Sequence, residues 1–213
     1  MKDCCVATDQ HFDEKRAEND LKRYKTNGPI HTTKELLTLI RNSNFNIESH
    51  LDIGSGIGVL SLELLKEGMK SATLIDASSS YLNIARKEFQ SRGQINRITI
   101  IHGDAVDVAE KLPRVDLVSL DRVICCYPFA EQLLSVSLSK SVRLIVLSYP
   151  RNRWPARVGV GFENFLRKLK GNPFRTYVHD PEWMKMLINQ SGFTYHSHSR
   201  TFLWEMALFQ RNT

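Results

Sequence analysis

The 213-residue sequence predicts an α/β fold, in which helices cover both faces of a mostly parallel β-sheet. Three observations support this prediction. Short apolar runs rich in β-branched residues recur from residue 50 onwards, and segments with helical periodicity separate them. A glycine-rich turn, LDIGSGIG at 51–58, joins the first apolar run to the next helical segment. No repeat or change in composition marks a boundary, so residues 1–213 are predicted to form one domain.

Strands and helices are predicted to alternate along the chain, as in a doubly wound sheet. The predicted strands are 50–54, 72–77, 97–105, the first part of 115–128, and 142–150. The predicted helices are 33–42, 59–68, 79–93, 106–113, 130–141 and 181–192. The last run, 193–211, is predicted to supply one or two more strands, with the tail antiparallel at the edge of a seven-stranded sheet.

Composition and cysteine spacing exclude several classes of protein. No apolar run approaches the roughly 20 residues that cross a bilayer, and the N-terminus is too polar for a signal peptide. We therefore expect a cytoplasmic protein with no membrane span. The cysteines form two adjacent pairs, Cys4/Cys5 and Cys125/Cys126, which match neither a disulfide framework nor spaced zinc ligands. Reduced thiols and no metal site are expected.

The net charge of +6 is concentrated in one segment. Residues 151–175 carry a surplus of Lys and Arg equal to that of the whole chain, with Glu163 as their single acid. Residues 151–173 are predicted to form a basic helical insert. Four apolar side chains share one face of this helix, which is predicted to cap the binding pocket: Phe162, Phe165, Leu166 and Leu169.

The same segment is the reason to expect an anionic substrate. Arg151, Arg153 and Arg157 precede or begin the predicted helix, and an Arg fork binds carboxylate or phosphate groups through two hydrogen bonds. A solvated basic face is at least as compatible with the pattern.

The glycines of LDIGSGIG do not fit the common phosphate loops. They are Gly54, Gly56 and Gly58, whereas a dinucleotide fingerprint requires its third glycine three positions after the second. A Walker loop ends in Gly-Lys-Ser/Thr, and here Val59 follows Gly58. The loop is therefore predicted to receive a different ligand.

An acidic residue followed by GxGxG at the end of the first strand resembles the first motif of class I S-adenosylmethionine-dependent methyltransferases. The resemblance implies a Rossmann-like sheet and S-adenosylmethionine as cofactor, with S-adenosylhomocysteine as product. It implies that the loop holds the methionine moiety, that Asp76 and Ala77 hold the ribose, and that Asp104 and Ala105 hold the adenine. The implied loop residues are Asp52, Gly54, Ser55, Gly56 and Gly58. The alternative is that the three acids are ordinary turn and cap residues.

This resemblance covers residues 48–150. The stretches RYKTNGP, LDRVICCYP and LSYPRNRW are more loosely similar to magnesium-protoporphyrin O-methyltransferases. That similarity implies that an N-terminal extension, residues 1–30, closes over the cofactor, which Tyr24 and Thr32 would contact. A packing role for Tyr24 is the alternative.

The candidates for catalysis follow the fourth predicted strand, because ligands of open α/β sheets bind beyond the carboxyl ends of the strands. Asp121 is a candidate general base and cofactor contact, with the fixing of Arg122 as its alternative role, and Tyr127 is a candidate for orienting the acceptor. His179 is the histidine expected at the same edge; its alternative is a loop residue before the next helix. Cys125 and Cys126 are expected to be packing residues.

Methyl transfer to a small molecule at oxygen, nitrogen or sulfur is the preferred function, and the basic segment favours an anionic acceptor. The Asn/Asp-Pro-Pro-aromatic motif of exocyclic-amine methyltransferases and the Pro-Cys of 5-methylcytosine enzymes are absent from CCYP, so nucleic acid is disfavoured as a substrate. An RNA methyltransferase that uses the basic segment 151–175, and a non-catalytic S-adenosylmethionine-binding protein, remain as alternatives. The sequence predicts no oligomeric state.

Overall fold

A computed structural model describes residues 2–212 and confirms the α/β architecture. The strands are β1 Ser49–Ile53, β2 Ser71–Asp76, β3 Ile98–His102, β4 Val115–Asp121, β5 Ser141–Pro150, β6 Phe193–Arg200 and β7 Trp204–Arg211. The helices are α1 Asp3–His11, α2 Glu14–Asn27, α3 His31–Asn42, α4 Val59–Lys66, α5 Ser79–Ser91, α6 Ala130–Lys140, α7 Trp154–Leu169 and α8 Pro181–Gln190. In the described chain no helix is long and apolar enough to cross a membrane.

All strands belong to one sheet with the order β3-β2-β1-β4-β5-β7-β6. The first five are parallel, and β7 pairs antiparallel with both β5 and β6. The tail strand is antiparallel as predicted, but it lies one position inside the edge, and β6 forms the edge itself. The burial pattern explains this order: the middle of β7 is buried, whereas every residue of β6 after Phe193 is exposed or half-buried.

Successive residues of the strands point to opposite faces of the sheet, and their side chains pack into two apolar cores, one on each face. In β5, Leu144 and Val146 face the core built with α3, α4 and α5, while Ile145 and Leu147 face the core built with α6 and α8. All four side chains are fully buried, so both faces of this strand are covered. This explains why its apolar run is continuous, as expected for a central strand of a doubly wound sheet.

Two local predictions are wrong. The helix predicted over 106–113 is only a 3₁₀ turn, Ala109–Lys111, because the Asp104 carboxylate accepts a hydrogen bond from the Val106 amide and folds the chain into a side-chain-closed turn. The apolar face of the basic insert does not cap the pocket. It points to solvent, and Phe162 and Leu169 are more than 60% exposed.

Candidate functional site

A cavity of about 380 Å³ opens at the carboxyl ends of β1, β2 and β4. A smaller cavity of about 100 Å³ adjoins it and shares Gly54, Gly56, Tyr81, Asp121 and Arg122 with it. The two lie where the strand order reverses between β1 and β4, which is the usual ligand site of an open α/β sheet.

The three glycines after β1 all have positive φ angles, between 55° and 76°, but they do different work. A Cβ at Gly54 would lie 2.4 Å from the Val123 side chain, and one at Gly58 would lie 2.6 Å from Leu74. A Cβ at Gly56 meets nothing closer than the Tyr81 ring at 3.4 Å. Gly56 therefore faces the open cavity, whereas Gly58, a predicted ligand contact, allows helix and sheet to pack.

Ser55 lines the smaller cavity, and its hydroxyl is buried without a protein partner among the described residues. A buried hydroxyl without a partner is costly, so this atom marks a place where a polar ligand group is expected. Its position within the glycine turn matches the sequence prediction for the methionine end of the ligand.

Asp76 ends β2 and organises the glycine turn. Its Oδ2 accepts a hydrogen bond from the Gly56 amide at 2.7 Å, and its Oδ1 accepts one from the Ser78 amide at 2.7 Å. Burial raises the pKa of Asp76, an effect that these amides oppose. Each carboxylate oxygen keeps a further acceptor site, which suits a pair of hydroxyls in the main cavity. Ala77 lines the same cavity.

Asp104 follows β3 and is held by the N-terminus of the chain. Its carboxylate accepts hydrogen bonds from Lys2 Nζ at 2.9 Å, from the Tyr127 hydroxyl at 2.8 Å and from the Val106 amide at 2.9 Å. These donors use about three of its roughly four acceptor sites. Burial lowers the pKa of Lys2, but hydrogen bonds to Asp107, Tyr127 and Asp104 outweigh it and raise the pKa overall.

Tyr127 therefore differs from its sequence prediction. Its hydroxyl is directed at Asp104, not at an acceptor beside Asp121. Burial, reinforced by Asp104, raises the pKa of this phenol, so it stays protonated and acts as a hydrogen-bond donor.

Asp52 lines the smaller cavity, but both of its carboxylate oxygens serve the protein interior. Ser119 Oγ donates to Oδ1 at 2.6 Å and Ser61 Oγ donates to Oδ2 at 3.0 Å. The same two hydroxyls flank the fully buried imidazole of His50. Burial raises the pKa of Asp52 to about 7 and lowers the pKa of His50 to about 3.

Comparisons with known proteins agree with this geometry. Residues 51–144 match the family model described as a methyltransferase domain. Together with the seven-stranded sheet, this match shows similarity to a methyltransferase domain over a little under half of the chain. Magnesium protoporphyrin IX methyltransferase from Synechocystis PCC 6803, in a structure with bound S-adenosylhomocysteine, superposes with a TM-score of 0.72 at 19% identity, covering 99% of this chain and 100% of that one. An O-methyltransferase family protein from Burkholderia thailandensis gives a TM-score of 0.67 at 10% identity, over 94% of this chain and 58% of that one.

Among curated proteins, protein arginine N-methyltransferase 1 of Oryza sativa subsp. indica is 28% identical over 130 residues. That match covers 60% of this chain and spans only 30% of the length of the relative. The Synechocystis enzyme has been crystallised with S-adenosylhomocysteine and with S-adenosylmethionine. The described residues fit S-adenosylmethionine, because the open side of Gly56, the unpartnered Ser55 hydroxyl and the Asp76 carboxylate follow one another along the two connected cavities.

Asp121 lies at the junction of both cavities of the methyltransferase domain. Thr33 Oγ1 donates to its Oδ2 at 2.5 Å, and Ser148 Oγ donates to its Oδ1 at 2.6 Å. The next residue, Arg122, has a φ of 60°, a conformation that is unfavourable for a side chain of this size, and its amide donates to Ser148 Oγ. The carboxylate is therefore fixed by two hydroxyls, and the backbone after it is strained.

Arginines line the main cavity, but they are not the three predicted from sequence. Arg151 is bonded to the Thr201 carbonyl, and it lies outside both cavities, as do Arg153 and Arg157. The lining arginines are Arg23, Arg122 and Arg167. Arg23 pairs with Asp20 and Arg167 pairs with Glu163, whereas the guanidinium of Arg122 has no partner in the described part of the chain.

His179 is not the histidine of the site. Its Nε2 lies 3.0 Å from the carbonyl oxygens of both Ile124 and Tyr127, so it carries a proton and clamps the turn after β4 from outside the cavities. Burial lowers the pKa of His179, which opposes a further proton. These contacts favour the alternative role, a loop residue that precedes the next helix, over the predicted role as a base. His11, in α1, lines the main cavity instead, at a position that no local pattern marks.

Tyr24 lines the smaller cavity with its ring, while its hydroxyl bonds to Glu63 and accepts from Lys66 Nζ at 3.0 Å. The hydroxyl is thus committed to α4. Thr32 lies outside both cavities, and its buried Oγ1 has no partner among the described residues.

The adjacent cysteines after β4 pack beneath the main cavity. Cys125 Sγ donates to the Arg122 carbonyl at 3.3 Å and lies 3.7 Å from Cys126 Sγ. Contact with the Cys126 thiol, together with burial, raises the pKa of Cys125. A protonated, buried thiol has little nucleophilicity, so the geometry of Cys125 fits the predicted packing role. Cys126 is half-buried and lines the main cavity, and contact with the Cys125 thiol lowers its pKa.

Proposed function

We propose that this chain transfers the methyl group of S-adenosylmethionine to a small molecule that binds beside Asp121 and Arg122. The observation that carries the proposal is the junction of the two cavities. One side of it is built from Ser55, Gly56 and Asp76, which suit the cofactor, and the other side presents a fixed carboxylate and an unpaired guanidinium.

The protein's part in the reaction is mainly alignment. When bound, S-adenosylmethionine would supply a methyl group on a sulfonium: the bond from the methyl carbon to the acceptor would form in line as the carbon–sulfur bond breaks, with S-adenosylhomocysteine as the leaving group. Asp121 is held by Thr33 and Ser148 in a position to accept a proton from a hydroxyl, amine or thiol acceptor. Helix α1 and the 172–176 segment cover the main cavity and restrict water.

We also propose an acceptor with an anionic group. Arg122 lines both cavities, is adjacent to Asp121 and lacks a protein counterion among the described residues. A carboxylate on the acceptor would pair with this guanidinium and place its nucleophile near Asp121. The RNA alternative has less support, since the arginines that it relied on, Arg151, Arg153 and Arg157, lie outside the cavities. We propose a cytoplasmic location.

Calorimetric titration with S-adenosylmethionine tests the cofactor site. We expect binding to the wild-type chain and at least a roughly tenfold loss of affinity in Asp76→Ala, because two ribose hydroxyls lose a charged acceptor. Glu110→Gln, which removes an exposed carboxylate outside the cavities, is the matched control. Unchanged affinity in Asp76→Ala contradicts the proposed ribose site.

The proposed anionic acceptor is tested by transfer of a labelled methyl group to matched acceptors. Each acceptor is tested as the free acid and as its amide. We expect turnover on the acid. Arg122→Gln should raise KM for the acid by about tenfold or more, because it removes a pair of charge-assisted hydrogen bonds. It should leave KM for the amide unchanged. Asp121→Asn should lower kcat and keep the affinity for the cofactor. Cofactor binding without transfer to any acceptor would favour the non-catalytic alternative.

A further inference from the structure

Helix α7 presents its apolar side to solvent. Trp154, Val158, Phe162, Phe165 and Leu169 are exposed by 77%, 61%, 61%, 56% and 68%. At about 100° per residue they fall within a stripe roughly 80° wide, which we call the outer stripe. No residue of this helix is buried. A surface helix of a globular protein normally turns its apolar side towards the core, so this orientation is reversed.

The polar side of α7 fixes the helix against the protein. Asn164 Nδ2 donates to the Thr176 carbonyl at 2.7 Å, and Arg167 Nη1 donates to the Thr176 hydroxyl at 2.7 Å. The Arg167 guanidinium also lies 5.2 Å from the centre of the Phe174 ring. Because Asn164 and Arg167 face inwards, the outer stripe must face outwards.

A second apolar group extends this surface. Phe202 and Leu203, in the turn between β6 and β7, are 68% and 51% exposed. Arg151 joins this turn to the chain that leads into α7, because its amide donates to the Leu203 carbonyl at 2.9 Å and its guanidinium donates to the Thr201 carbonyl at 3.1 Å. The turn therefore lies next to the Trp154 end of the outer stripe.

Cations surround the apolar surface. Residues 151–175 contain a single acid, Glu163, and that acid is paired with Arg167. On the helical projection, Arg157 and Lys168 flank one side of the outer stripe, and Lys170 follows the helix directly after Leu169. All three are exposed. The surface thus combines aromatic and aliphatic side chains with a rim of positive charge.

We propose that α7 and the Phe202–Leu203 turn dock onto the surface of an anionic lipid bilayer. An amphipathic helix with Trp, Phe and Leu on one side and Lys and Arg beside them lies in the plane of a membrane interface, with its apolar side among the acyl chains. The flanking cations meet the negative headgroups. This inference is independent of the proposed methyl transfer.

Other occupants fit the surface less well. A second copy of the chain, docked through the same stripe about a two-fold axis, would bring two equally basic rims together, which like-charge repulsion opposes. RNA would pair with the cations but leave Val158 and Leu169 in contact with phosphate and sugar, with no apolar partner.

Vesicle flotation tests the proposal on the 213-residue chain. The probes are vesicles of phosphatidylcholine mixed with phosphatidylglycerol, compared with pure phosphatidylcholine, at low and high salt. We expect at least roughly tenfold stronger partitioning onto the anionic vesicles, weakened by salt, because several exposed cations contribute. Equal partitioning onto both vesicles, or onto neither, would overturn the proposal.

Variants distinguish binding through the outer stripe from non-specific binding through other exposed apolar side chains. The triple substitution Trp154→Ser, Phe162→Ser and Leu169→Ser should abolish flotation and leave the thermal unfolding midpoint close to wild type, since these side chains pack against little. Met186→Ser combined with Val142→Ser removes exposed apolar side chains elsewhere and should float like wild type. Two results would contradict the proposal: a stripe-dependent dimer that does not float, and stripe-dependent binding to tRNA without vesicle binding.

Discussion

At the scale of single residues, the glycine turn after β1 contains one glycine that faces the ligand cavity, Gly56, and one that allows close packing, Gly58. Gly56 and Gly58 have similar positive φ angles, so replacing either costs backbone strain of about 1–2 kcal/mol. Their surroundings differ. Added atoms at Gly56 enter the cavity, whereas added atoms at Gly58 enter the space of Leu74 and Phe89, both fully buried.

The substitutions Gly56→Ala and Gly58→Ala should therefore have different effects, the first mainly on cofactor affinity and the second mainly on stability. We expect Gly56→Ala to lose roughly tenfold or more in affinity for S-adenosylmethionine, because a misplacement of about 1 Å disrupts positioned contacts. Its unfolding midpoint should fall by only a few degrees. Gly58→Ala should lose about 2–4 kcal/mol of stability through strain and overpacking. Differential scanning calorimetry with and without cofactor measures both; the same pattern in both variants would refute the division.

The sequence predicted some of these residues and missed others for a physical reason. Asp76 was predictable, because a residue at the end of a parallel strand points to the ligand edge whatever surrounds it. The direction of Tyr127 was not, because it depends on Lys2 and Asp104, which are distant in sequence. The contacts of His179 were not predictable for the same reason: the turn that it clamps is more than 50 residues away.

At the scale of elements, α1 is a cover held at three points along its length. Lys2 binds Asp104, Asp9 accepts a hydrogen bond from the Ser79 amide at 2.8 Å, and the His11 ring stacks on Phe174 with centroids 4.3 Å apart. The sequence predicted that an extension closes over the cofactor, but not this helix. Only Cys5 and Ala7 of α1 are buried, so it shows no amphipathic pattern, and its contacts are long-range.

The cover should loosen in acid. Burial, with Arg16 and Arg167 nearby, lowers the pKa of His11 from 6.5 to about 4. A detached α1 would restore the ordinary value, so protons favour detachment as the pH falls through 6.5 towards 4. Between about pH 7.5 and pH 5.5 the opening equilibrium should rise by up to about tenfold.

Hydrogen exchange of the amides in residues 3–11, corrected for intrinsic exchange rates, measures this opening. His11→Gln should remove the acid sensitivity, while His31→Gln, at an exposed position, should keep it. Acid sensitivity that persists in His11→Gln would assign the effect to another group.

At the scale of the whole molecule, the sheet joins two apolar cores, and one polar network is buried within it. His50 and Asp52 in β1 share the hydroxyls of Ser61 from α4 and Ser119 from β4. The doubly wound class was predictable from alternation alone. The network was not, because its members come from three elements, and a His and an Asp two residues apart in a strand do not reveal which neighbours face them.

This network should make opposite contributions to stability as pH changes. The pKa of Asp52 is raised to about 7, so the folded chain binds its proton more tightly, and stability is lost as the pH rises from about 4 to 7. The pKa of His50 is lowered to about 3, so stability is lost as the pH falls from about 6.5 towards 3. Over the shared window the two slopes nearly cancel in the wild-type chain.

Single substitutions should reveal how each of the two residues makes the free energy of unfolding depend on pH. Relative to wild type, His50→Gln should lose stability as the pH rises from about 4 to 6.5, and Asp52→Asn should gain it, each by on the order of 3 kcal/mol. Urea unfolding across this range measures the differences, in which titrations of all other groups cancel. If both variants kept a constant offset from wild type, neither group would change protonation on folding, and the burial that shifts both pKa values would have to be relieved by water reaching the network from the smaller cavity.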